Sequence, residues 1–247
     1  MSKLVWDRPK NRKFETGVDH GVLYLQNSQG VCTDGVAWNG LISVSENPSG
    51  GEPTAMWADN VKYLNLMSAE EFGCTIEAYS YPRAFLPCLG KAEPSLGLRL
   101  AQQRRKPFGF SFRTLVGNAE EGTNYGSRIH AIYGCMASPS EQTYSTVNDS
   151  PEATTLSWEV TTTPVVVEGY KPTSEFVFDE LKFKNSGAMN AFHMIEDVLY
   201  GTEDTEAKLP TLDEVTEIYS YARFIMDNDG DELIDSNGNK MQSAVYN

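Results

Sequence analysis

Four aspartates, Asp227, Asp229, Asp231 and Asp235, lie within DNDGDELIDSNGNK and form the densest set of hard oxygen ligands in the chain. Calcium gathers several carboxylate and carbonyl oxygens from alternating positions of one loop, so this spacing admits a cation site. Two departures stand against it. Glu232 occupies the place where such a loop needs a sharp-turn glycine, and Gly238 the place of its bidentate glutamate. The competing reading is a hairpin, with Asp229-Gly230 and Asn237-Gly238 as turn signals around Glu232 to Asp235.

Other reactive residue types do not converge. His20, His130 and His193 are far apart in sequence, and none has a nucleophile or metal-ligand partner at motif spacing. There is no G-x-S-x-G elbow, no phosphate-cradling glycine loop and no H-E-x-x-H. The acid pairs Glu70-Glu71 and Glu120-Glu121 are adjacent, so their side chains diverge and read as solvated faces. Cys32, Cys74, Cys88 and Cys135 lack C-x-x-C spacing; they read as small buried hydrophobes in a reducing compartment, with a disulfide or zinc site as the alternative. The expectation is a protein without enzymatic activity and without a cofactor.

The chain is organised instead around a stretch from Trp38 to Gly90. Within it, Asn47-Pro48-Ser49-Gly50-Gly51-Glu52-Pro53 is dense in residues that break helices and ladders and is predicted to be a loop. Trp57 and Tyr63 flank the pair Asp59-Asn60 just beyond it. Large apolar side chains in a loop mark a contact surface, because leaving them in water is unfavourable. The expected assembly interface is therefore Glu46, Asn47, Pro48, Gly50, Gly51, Met56, Trp57, Asp59, Asn60 and Tyr63. A two-faced strand follows, with Cys74, Ile76 and Ala78 on one side and Thr75, Glu77, Tyr79 and Tyr81 on the other.

Several segments, taken in order, carry a family likeness. Trp38-x-Gly40-Leu41 leads into Glu46-Asn47-Pro48-Ser49-Gly50-Gly51-Glu52-Pro53-Thr54 and Trp57-Ala58-Asp59-Asn60-x-Lys62-Tyr63. Thr75-Ile76-Glu77-Ala78-Tyr79-x-Tyr81-Pro82 follows, then Phe85-x-x-Cys88-x-Gly90. Further on come the segments Ile129 to Cys135, Ala137 to Ser140, Asn148 to Ala153, Trp158 to Pro164 and Leu209 to Val215. Together they resemble the major tail tube proteins of long-tailed (siphovirus-type) bacteriophages, from about Gly17 to Tyr219. The resemblance implies a homo-oligomer of hexameric rings stacked into a hollow tube around a tape-measure protein. Tail-terminator and distal tail or baseplate proteins would be further partners. It also implies a place in the virion tail after assembly in the host cytoplasm, with DNA passing through the lumen without specific binding. The Glu46–Asn60 stretch and the arm before Gly17 would reach adjacent rings. Two alternatives remain: the tube protein of a phage-like secretion or injection system, and a monomeric β-sandwich ligand-binding module using exposed Trp and Tyr.

Composition describes a soluble globular protein, and 247 residues suffice for one large β-rich domain or two small ones. No apolar run approaches the roughly 18 residues of a membrane span, and Met1 to Lys10 holds no stretch long enough for a signal peptide. Charge is uneven: residues 1–140 hold 14 Lys/Arg against 13 Asp/Glu, whereas residues 141–247 hold 6 against 21. Phosphate binding needs clustered cations, so affinity for nucleic acid is not expected; Arg104-Arg105-Lys106 reads as a solvated turn.

Strands are predicted around residues 21–26, 41–45, 74–81, 108–112, 127–136, 156–161, 165–167 and 176–181, while residues 32–38 read as turn-rich. Ala188, Phe192, Ile195 and Val198-Leu199 recur at helical spacing, with Gly201 placed as a stop. Thr211-Leu212-Asp213-Glu214 is a capping box whose helix buries Leu212, Val215 and Tyr219. The fold class is mainly β, a β-rich α+β protein: an antiparallel β-sandwich or partly closed barrel braced by one main helix and tail-tube-like. Residues 1–16 are expected as an arm, 17–207 as the β domain, and 208–247 as a C-terminal helix with an acidic hairpin extension.

Overall fold

Segments with period-two apolar alternation become strands wherever one of their faces is buried, and most of this chain follows that rule. The computed structural model describes residues 6, 8–144, 146, 153–186 and 189–221. They are mainly β, with a large antiparallel sheet and few helices, and no closed barrel is found among the described residues. Asp227, Asp229, Asp231 and Asp235 lie outside the described residues.

The strands are β1 (Lys13–Gln26), β2 (Cys32–Trp38), β3 (Leu41–Glu46), β4 (Ser49–Gly50), β5 (Pro53–Ala58), β6 (Val61–Met67) and β7 (Glu70–Glu71). After them come β8 (Gly73–Ala78), β9 (Ala92–Ser95), β10 (Leu98–Leu100), β11 (Phe108–Asn118), β12 (Gly122–Ala137), β13 (Leu156–Thr162) and β14 (Glu175–Asp179). Helices α1 (Glu180–Ser186), α2 (Met189–Tyr200) and α3 (Leu212–Tyr221) close the described chain. Two compact units result, one drawn from Met1–Ala37, Gly109–Ile132 and Phe176–Asn247, the other from Trp38–Phe108 and Tyr133–Glu175.

In the first unit the strand order is β2, β1, β11, β12, with β14 also pairing with β12. Phe110 and Phe112 are buried, and so are Gly109 before them and Ser111 between them, so β11 is covered on both faces rather than one. Helix α2 buries Ala191, Phe192, Ile195 and Leu199, the stripe that helical spacing dictates. Gly201 ends it at φ +77°, its N–H bonded to the Asp197 carbonyl. Tyr24 ties the layers together: its hydroxyl donates to the Leu199 carbonyl at 2.8 Å and meets the Ser111 hydroxyl at 2.9 Å. At the start of α3 the Thr211 N–H donates to Glu214 Oε2 at 2.9 Å, and the Glu214 N–H points to Thr211 Oγ1 at 3.4 Å.

In the second unit the order is β12, β13, β8, β3, residues 133–137 of β12 belonging here. Trp158 pairs with Ile76, which pairs in turn with Val44, so one register row carries apolar side chains across three strands. Trp38, Phe85 and Trp158 pack ring against ring, with Trp38–Phe85 centroids 4.6 Å apart and Phe85–Trp158 5.5 Å apart. The Trp38 indole N–H donates to the Ser80 carbonyl at 2.8 Å, which satisfies the polar edge of a ring otherwise buried.

Several expectations need correcting. Residues 32–38 are a strand paired with β1, and Gly35 N–H also bonds the Ala207 carbonyl while Leu209 N–H bonds the Cys32 carbonyl, partners far away in sequence. Lys13 to Thr16, expected in the arm, belong to β1. Residues 165–167 make only an isolated bridge, Val165 to Thr173, with Val166 exposed. The strand expected at 176–181 stops at Asp179, and α1 begins at Glu180. In α3 the buried pair is Val215 and Ile218; Tyr219 is half-exposed and packs its ring against Phe183 at 5.3 Å.

Candidate assembly surface

The expected interface residues fall on one element, but that element is not a loop. From Leu41 to Ala78 the chain runs out and back as nested antiparallel pairs: β3 with β8, β4 with β7, and β5 with β6. At its end Asp59 and Asn60 have φ of +50° and +64°. Left-handed geometry at both central residues is what a two-residue hairpin turn matched to strand twist requires, and Asp and Asn tolerate it best after glycine. Between Met56, opposite Leu64, and Trp57, opposite Lys62, the register shifts and leaves Tyr63 as the extra residue of a bulge.

The base of the ribbon is fastened locally. Asn47 N–H donates to the Gly73 carbonyl at 2.7 Å and its side-chain amide to Thr75 Oγ1 at 2.7 Å. Gly51 N–H donates to Ser68 Oγ at 3.0 Å. Gly50 has φ +77°, and a Cβ there would lie 2.3 Å from the Ala69 carbonyl oxygen, so the composition that reads as a loop is the composition this crossing needs.

Beyond the base, neither face of the ribbon is covered by its own unit. Register and alternation put Met56, Leu64 and Leu66 on one face and Trp57 and Met67 on the other. Trp57 and Tyr63 are each 70% exposed, Leu66 56% and Met67 72%. Scattered apolar residues on a surface are ordinary, whereas here the exposed apolar side chains are gathered on both faces of one hairpin. Burying Trp57 alone is worth about 2 kcal/mol per contact. Of the expected site, Glu46 ends β3, Asn47 and Pro48 bridge to β4, Gly50 lies in β4 with Gly51 just after it, and Met56 and Trp57 lie in β5. Asp59 and Asn60 form the turn and Tyr63 the bulge, so all ten share the ribbon. Sequence reasoning missed Val61, Leu64, Leu66 and Met67, whose signal was the apolar run VKYLNLM directly after the turn.

Elsewhere several titratable residues serve packing and pairing. Asp19 takes a bidentate pair from Arg113 at 2.8 and 2.9 Å, and the Arg113 hydrogen bond holds its carboxyl below the usual carboxylate range. Burial works to raise the Glu15 carboxyl, but the Thr114 hydroxyl and the Arg128 guanidinium outweigh it and leave it lowered. His130 stacks on Phe112 with centroids 4.6 Å apart, and its Nε2 lies 3.3 Å from Thr114 Oγ1. His20 lies within β1 at φ +48°, and exposed His193 has Nδ1 3.1 Å from Glu196. All four cysteines are buried and outside any disulfide; burial pushes the Cys32 thiol up to about 11 and the Cys74 thiol up to about 12. No protein-family model and no curated protein matches the chain.

Proposed function

We propose that this chain is a structural subunit that self-assembles into stacked hexameric rings, the hollow tube of a long-tailed phage tail through which DNA is ejected. The observation that carries the reading is the apolar ribbon β5–β6, exposed along both faces in the single chain. A hairpin of this kind finds its cover on another copy, and the family likeness of Glu46 to Tyr63 supplies the context of a ring stacked on a ring. β3 ends the strand order of its unit and offers an edge; pairing edges around a closed ring removes them, which is how the sandwich or barrel character of the tube would arise. The formal net charge of -14 suits a conduit, because carboxylates repel the DNA backbone and let it slide. In this reading the tube surrounds a tape-measure protein and meets terminator and distal tail proteins at its ends, within a virion assembled in the host cytoplasm.

Negative-stain microscopy of the concentrated protein tests it. Rings or tubes are the expected result. The double variant Trp57→Ser and Leu66→Ser, one change on each face of the ribbon, is expected to keep the circular dichroism of the wild type and to stop stacking. A wild-type protein that remains monomeric at every concentration overturns the tube reading, whereas a double variant that still forms long tubes overturns the role of the ribbon.

A further inference from the structure

Charge is segregated more finely than the two halves of the sequence show. Residues 79–106 hold six cations (Arg83, Lys91, Arg99, Arg104, Arg105 and Lys106) against the single acid Glu93, a net of +5 in a chain of -14. Glu93 is paired with Arg83 at 2.8 Å. Within the second unit this segment opens a recess of about 470 Å³, lined by Tyr79, Tyr81, Lys91, Arg99, Tyr144 and Leu156 among others. Arg99 Nη1 donates to Tyr81 Oη at 3.3 Å, which holds the guanidinium over the recess. Ammonium, guanidinium and phenol groups donate hydrogen bonds, and tyrosine and arginine are both enriched where protein surfaces bind one another. The chemistry asks for a carboxylate-bearing polypeptide.

The same chain carries such a polypeptide. Residues 196–217 hold eight acids against Lys208 alone, a net of -7. At their centre Glu203-Asp204-Thr205-Glu206 is exposed, directly after α2. The Asp204 and Thr205 N–H groups donate to Thr202 Oγ1 at 3.3 and 3.1 Å, so the turn is held before it meets anything and loses little freedom on docking.

We infer that the tyrosine-lined basic recess of one copy receives the Glu203–Glu206 turn of a second copy, a contact that rests on the self-assembly proposed above and is separate from the apolar ribbon. The two patches differ, so the contact is head-to-tail, the kind that propagates around a ring. Each exposed pair is weak, and its main contribution is to partner choice and to the rate of encounter.

Charge reversal tests it with the full chain. Variant one is Lys91→Glu with Arg99→Glu; variant two is Glu203→Lys with Glu206→Lys. Alone, each sets like charges against each other in every contact, and the concentration needed for assembly is expected to rise about tenfold or more by light scattering. Mixed in equal amounts, the two restore opposite charges at both kinds of junction, and assembly is expected to return to within about threefold of the wild type. That mutual rescue also shows that both variants are folded. If the wild type assembles and either variant does so equally well, or the mixture is no better than its parts, this contact is overturned while the ribbon reading stands. If the wild type does not assemble at all, the tube reading falls and this contact with it. Micromolar binding of a single-stranded oligonucleotide, lost in variant one, would assign the recess to nucleic acid and overturn the inference.

Discussion

Gly134 has φ +61°, and a Cβ built there would lie 2.2 Å from the Thr163 carbonyl oxygen, whose own residue donates its N–H to the Gly134 carbonyl. Both the backbone conformation and the space exclude a side chain. Gly134→Ala is therefore expected to lose roughly 2–5 kcal/mol, from left-handed strain plus overpacking, as a lowered urea midpoint. Asp19 makes a prediction with a sign. Arg113 holds its folded-state carboxyl below its ordinary value of 3.8, so the pair's stabilisation is complete above that value and is lost as pH falls through the lower folded one. Glu15, lowered from 4.5, acts in the same direction. Stability measured by urea unfolding should fall as the pH drops from about 5 toward 2, and Asp19→Asn should make that fall shallower. A slope unchanged by the substitution would show that the pair does not contribute to acid sensitivity.

At the scale of elements, the capping box of α3 lends itself to a direct test. Thr211→Ala removes the acceptor for the Glu214 N–H and should cost about 1 kcal/mol in chemical unfolding, whereas Thr211→Ser should be nearly silent. This box, the Gly201 stop and the stripe of α2 were legible because they are local: cap, stop and apolar spacing lie within a few residues of one another. β8 was legible because Cys74, Ile76 and Ala78 are buried while Thr75 and Glu77 are only partly so, the contrast that alternation records. The ribbon was not, and the reason is physical. Period-two patterning needs one dry and one wet face, and β5 and β6 have no dry face in the single chain. What remained visible was the glycine and proline at the base, which read as a loop. β2 was hidden for another reason: Asp34 and Gly35 look locally like a turn, and besides β1 the strand bonds Ala207 and Leu209, which are remote in sequence. The residues proposed for assembly nevertheless share one surface element, since Trp57 and Tyr63 around Asp59-Asn60 mark it whether the segment is looped or paired.

For the molecule as a whole, the charge balance sets an expectation about DNA. With a formal net charge of -14, a gel shift at physiological ionic strength should show no retained duplex. Micromolar binding would remove the account of a lumen that repels its cargo. The exposed ribbon sets another. Because both of its faces are uncovered in the single chain, the monomer should bind hydrophobic dyes and precipitate readily, and the Trp57→Ser, Leu66→Ser variant should stay in solution at higher concentration.

The buried thiols have a practical consequence. All four cysteines are inaccessible and unbridged, and burial keeps at least Cys32 and Cys74 protonated at neutral pH, so the native chain offers a maleimide or a disulfide reagent nothing to attack. Ellman's reagent should report no free thiol until denaturant is added, and then all four. A lone cysteine introduced at exposed Lys62, on the ribbon, would then be the single reactive position in the protein. A dye attached there would report on the ribbon's surroundings in real time, with no native residue replaced to silence the background.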